Sequence, residues 1–99
     1  MITLKTKSGF KAEVEPRKVV DFRFLEYVVE VSKGKTDLDK LNSYIAMIKF
    51  LFSNEDKERF IEHIASLDKD GIAEVTSIAK ELEEIMTICA EENKKVKNS

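Results

Sequence analysis

Few side chains in this 99-residue chain could carry out chemistry. His63 is the only histidine, which rules out a paired-histidine metal site within one chain. Its neighbour Glu62 projects about 100° away on a helix, so the two cannot work as a base and its orienting acid. His63 therefore reads as a surface or rim residue. Cys89, the only cysteine, falls on an apolar helical stripe and reads as a small buried hydrophobe. A lone cysteine forms no internal disulfide, which suits a reducing compartment. Asp68-Lys69-Asp70-Gly71 looks like the start of a calcium loop. The register fails, because with Gly71 at the sixth position the twelfth is Ser77, where a bidentate glutamate is required. The sequence holds no glycine-rich phosphate loop, nucleophile elbow or cysteine-pair spacing. These residues predict a non-enzyme with no cofactor and no metal.

Composition bounds the remaining classes. A mass of 11.4 kDa with 42% hydrophobic and 36% charged residues predicts one globular domain, placed at 1–93. A net charge of −2 speaks against general nucleic-acid binding, which calls for a basic excess. The most apolar stretch, Tyr44 to Phe52, contains Lys49 and falls well short of the roughly 20 apolar residues that span a bilayer. The opening Met-Ile-Thr-Leu-Lys-Thr lacks the pattern of a signal peptide. The expectation is a chain that meets neither nucleic acid nor membrane and stays in the compartment where it is made.

Four breakers, Gly9, Pro16, Gly34 and Gly71, divide the chain where its hydrophobic period changes. Ile2, Leu4 and Thr6 alternate with polar residues before Gly9, and Phe10, Ala12 and Val14 do so after it. That predicts a β-hairpin over 2–15. Helical periods follow at about 18–32, 37–52, 54–67 and 72–92. Gly34 stands at a C-cap, Thr36 or Asp37 at an N-cap, and Ser53 with Asp56 resembles a capping box. Gly71 lies in a turn where positive φ is expected. Residues 94–99 read as a frayed tail. The fold class expected is α+β, predominantly α: an N-terminal hairpin followed by about four helices.

Two features exceed ordinary surface patterning. Residues 1–18 carry a balance of +3 and 94–99 another +3, so the body between carries −8. This is either a set of solvated helix faces or a means of association. The first helix has an apolar arc from Tyr27, Val20, Val31, Phe24 and Val28 through Leu25, Val29 and Phe22. That is roughly twice the 100° a surface helix needs. On the second helix Met47 and Phe50 point away from the main stripe. Either this helix is buried at the centre of the fold, or part of the arc is a protein interface; the two readings can coexist. The candidate interface residues are Phe22, Phe24, Tyr27, Val31, Met47 and Phe50.

Thr6-Lys7-Ser8-Gly9-Phe10 with Val14, the acidic-aromatic run Asp21 through Glu30, and the ending Lys97-Asn98-Ser99 resemble the small tail assembly chaperones of long-tailed phages and prophages of Gram-positive bacteria. Between them come a leucine-rich helix, an acidic helix start at Ser53 to Glu58, and Asp70-Gly71 before a final amphipathic helix, in the family's order. The chain departs from the family pattern in three places. No proline precedes the second helix, Leu51-Phe52-Ser53-Asn54 replaces a Leu-Gly step, and Ile72 follows Gly71. The resemblance implies a factor absent from the mature virion that binds the tail tape measure protein in the host bacterial cytoplasm. It would keep that protein soluble while the major tail tube protein, a further partner, polymerises. Such factors tend to form homo-oligomers. The rival reading is a small helical regulatory or antitoxin-like protein-binding module. A third, a minor DNA-binding factor using the basic ends, is opposed by the −8 body.

Overall fold

The alternation on either side of Gly9 closes into an antiparallel hairpin, β1 (Ile2–Lys5) and β2 (Lys11–Val14), with Ile2 opposite Val14 and Leu4 opposite Ala12. Gly9 supplies the turn with a φ of +102°. Period two puts Leu4, Thr6, Phe10, Ala12 and Val14 on one buried face. A two-stranded hairpin is marginal alone, and this one rests that face on helices. A computed structural model describes residues 1–97. It continues with a 3-10 turn at Pro16–Val20, then α1 (Phe22–Lys33), α2 (Asp37–Leu51), α3 (Asn54–Leu67) and α4 (Val75–Lys97). The fold is α+β and predominantly α, as the residue periods predict. No helix among the described residues is long and apolar enough to cross a membrane.

The expected first helix at 18–32 is divided. Asp21 adopts an extended conformation, and its carboxylate accepts from the backbone N–H of Arg23 at 2.8 Å. That side-chain bond offers the backbone an alternative to continuing the 3-10 turn, so α1 starts afresh at Phe22. The Arg23 guanidinium clasps the same carboxylate with two bonds of 3.0 and 2.9 Å. These hydrogen bonds hold the Asp21 carboxyl down at about 2.

Thr36 caps α2 in a full capping box with Asp39. Ser53 caps α3 by accepting from the Asp56 N–H. Gly34 ends α1 with a negative φ of −68°. Glycine is needed there for close approach, because a Cβ would lie 2.7 Å from Cγ of Lys40. The last helix begins at Val75, later than the expected 72. The Asp68 carboxylate takes the N–H groups of Asp70 and Ile72 and holds the intervening residues out of the helix. At its other end α4 runs on through Lys94 and Lys95 to Lys97, where a frayed tail is expected. Asn98 and Ser99 of that tail lie outside the described residues.

Gly71 has a φ of +73° and open space where a Cβ would go. Gly71→Ala therefore meets backbone strain with no steric clash. It should cost about 1 kcal/mol, seen as a lowered thermal midpoint. An unchanged or raised midpoint would contradict this turn geometry.

The core has two aromatic centres. Phe10, Phe52 and Phe60 meet with ring centroids 5.2 to 5.8 Å apart and join the hairpin to α2 and α3. Phe24, Tyr27 and Phe50 join α1 to α2. Leu82, Ile85 and Cys89 are the buried stripe of α4 within the same core.

Candidate interaction surface

At 100° per residue, Val31, Val28, Leu25, Val29 and Phe22 follow one another around α1. The first two are half-buried, and the last three are exposed, Phe22 to 76%. The wide arc is thus shared: one side packs on α2, and the remainder faces solvent. Between α1 and α4 lies an open groove of about 260 Å³. Val28 and Val31 form one wall, Ala79, Leu82, Glu83 and Met86 the other, and Tyr44 and Met47 of α2 the floor. Leu25, Val29 and Phe22 continue the α1 arc outward from Val28 as an exposed lip beyond the groove wall. A groove this small lies below the size range of drug-like ligand pockets, but it accepts one or two apolar side chains. Two methionines give it an adaptable lining.

The six residues singled out from the sequence divide four ways. Phe22 is exposed on the lip. Val31 and Met47 line the groove, Met47 almost fully buried. Phe24, with no exposed surface, belongs to the core. Phe24 and Met47, candidates for the interface from the sequence, are therefore corrected: Phe24 packs against Phe50 of α2, and Met47, on α2 itself, belongs to the same core. Tyr27 and Phe50 are half-buried against each other, and the Arg23 guanidinium lies 5.1 Å from the Phe50 ring centre. That cation, with the Lys18 ammonium 5.9 Å from the same centre, lies over the ring. Leu25 and Val29, absent from that set, supply most of the lip.

A second cluster joins residue types associated with nucleophilic catalysis. Ser8 Oγ, in the hairpin turn, lies 2.9 Å from His63 Nε2 on α3 and 2.5 Å from the Glu81 carboxylate on α4. Thr6 also donates to Glu81, at 3.0 Å. A serine hydroxyl has one proton, and Ser8 gives it to Glu81, so His63 Nε2 must be the donor to Ser8. A histidine holding its own proton towards the serine cannot remove the serine's proton. In a hydrolytic triad the carboxylate orients the far ring nitrogen instead. Here Glu81 lies 3.9 Å from Nε2, on the serine side of the ring. What the cluster does is attach the hairpin turn to two helices, helped by the Lys7 N–H donating to Glu84 at 2.7 Å. Sequence spacing carries no signal of it, because Ser8, His63 and Glu81 come from three separate elements.

No protein-family model, curated protein or solved structure matches the chain.

Among the described residues, no group of three or more histidine, cysteine or carboxylate side chains is placed to hold a metal ion. Cys89 has no exposed surface, and burial pushes its thiol from 9.0 up to about 11, with Glu92 and Glu15 adding to the effect. The folded chain thus keeps a proton that the unfolded chain loses. The stability linked to it is complete below about pH 9 and declines as the pH rises towards 11. Urea midpoints at either end of that window should fall more in the native chain than in Cys89→Ala, and equal falls would contradict this linkage.

Proposed function

We propose that the chain is a binding protein rather than an enzyme: a tail assembly chaperone that holds the tape measure protein soluble while the tail tube assembles around it. It would act in the host bacterial cytoplasm and be absent from the finished particle. One observation supports the reading: α1 carries an apolar arc that its own fold leaves half open, beside an apolar groove whose floor is Tyr44 and Met47. A continuous apolar strip of this shape suits an amphipathic helix laid between two others. The residue-level resemblance to small tail chaperones supplies the identity of that helix. The lip is small, so each contact is weak. A long helical partner offers many such contacts in series, and avidity compensates.

Co-expression tests this reading. A tape measure protein co-expressed with the chain should stay soluble and co-purify with it. If a folded chain neither binds nor solubilises it, and the adjacent genes are not tail genes, the regulatory alternative takes its place. Self-association would use the same exposed lip. Light scattering over a dilution series should then show a mass above 11.4 kDa that falls on dilution, and a strictly monomeric mass would exclude it.

A further inference from the structure

We propose that groove and lip together select an amphipathic helix whose apolar face is edged on both sides by lysine or arginine. This rests on the reading above, and it adds the chemistry by which a partner segment is chosen. Glu83 is the single charged residue lining the groove, and it stands exposed on the α4 wall. On the opposite border, about 40° beyond Phe22 around α1 and past Lys33, stands Glu26, also exposed. Neither carboxylate has an ion-pair partner among the described residues. Lys33, the cation at the end of the lip, is held by Glu30 at 3.8 Å. The apolar strip therefore runs between two unpaired negative charges.

A helix settling into the strip brings its flanking residues against those carboxylates and sheds part of their water. Cations at both edges offset that loss, and acidic edges add like-charge repulsion. The selection is one of charge placement, since an equally apolar helix with acidic edges makes the same apolar contacts. Exposed charges are strongly screened, so the preference belongs to low and moderate ionic strength.

The chain has no tryptophan, so a tryptophan placed at the anchor of a synthetic peptide reports binding without background. Two helical peptides of about 18 residues, roughly 27 Å long, would share one apolar face and differ only in lysine or glutamate edges. The lysine-edged peptide should bind with a blue-shifted emission, at least tenfold more tightly than the glutamate-edged one. That difference should shrink towards unity near 0.5 M salt. The double variant Glu26→Lys/Glu83→Lys changes only exposed positions and should keep the native circular dichroism. It should reverse the preference.

Equal binding of the two peptides, binding of neither, or an unreversed preference in the folded double variant would overturn the proposal. So would a lysine-edged peptide that leaves a concentration-dependent mass undiminished, which would place a second copy on this surface. Co-purification of the tape measure protein separates this inference from the functional reading. Capture by native chain and double variant alike overturns charge selection and keeps the chaperone. Failure of capture by the native chain, with peptide selection intact, overturns the chaperone and leaves the surface chemistry standing.

Discussion

Phe24→Ala and Phe22→Ala, two residues apart on one helix, should behave as opposites. Phe24 has no exposed surface and packs against the Phe50 ring with centroids 6.2 Å apart. Its truncation removes a buried aromatic side chain and leaves a cavity, at about 3–5 kcal/mol. Small domains have about 5–15 kcal/mol in total, so the variant should be on the edge of unfolding. Its thermal midpoint should fall by roughly 12 °C or more. Phe22 is 76% exposed and anchors nothing in the core. Its truncation should stay within about 0.5 kcal/mol. Paired calorimetric melts decide the matter, and similar losses at the two sites would mean that α1 is rotated from the arrangement described here.

The largest functional effect is expected from Phe22→Asp combined with Leu25→Asp. Both positions lie on the exposed lip, so circular dichroism and the thermal midpoint should stay close to native. Each apolar side chain removed from a docked helix forfeits about 1.5–3 kcal/mol, which is about tenfold or more in affinity. The carboxylates introduced add a desolvation penalty. The folded double variant should fail to co-purify the tape measure protein under conditions where the native chain captures it. Full retention of the partner by a folded variant would remove the lip from the binding surface. Met47→Asp is no substitute, since Met47 is buried and its loss of binding would follow from unfolding.

Those paired positions also mark where sequence patterning stops being sufficient. The period-two runs around Gly9, the Thr36 and Ser53 caps and the turn at Asp68 to Gly71 are local signals, read by residues within a few positions of one another. Each is found where its spacing puts it. Asp21 misled because an aspartate after a 3-10 turn serves equally as an interior solvated residue or as a new cap, and the capping bond to Arg23 decides. The width of the α1 arc was legible, but which part of it meets α2 was not. Tyr27, Phe24, Val28 and Phe22 are equally apolar, and only packing against Phe50, Met47 and α4 distinguishes them. The bonding among Ser8, His63 and Glu81 joins residues with no periodic relation, so no spacing could announce it.

The way the hairpin is fastened has a consequence for how the chain comes off the ribosome. Ser8 and Lys7 are held by Glu81 and Glu84, and the carbonyl of Pro16 receives the amide of Asn93 at 3.0 Å. Every one of these fastenings lies more than 70 positions downstream. At about 5–20 residues per second, the first strands wait roughly 4–15 s before their anchors are synthesised. For the first part of that interval Leu4, Phe10 and Val14 have no cover at all, Phe52, Phe60 and His63 reach the hairpin only later, and the hairpin cannot be stable by itself. A message truncated before α4 should therefore yield a chain whose beginning, not only its end, is undone.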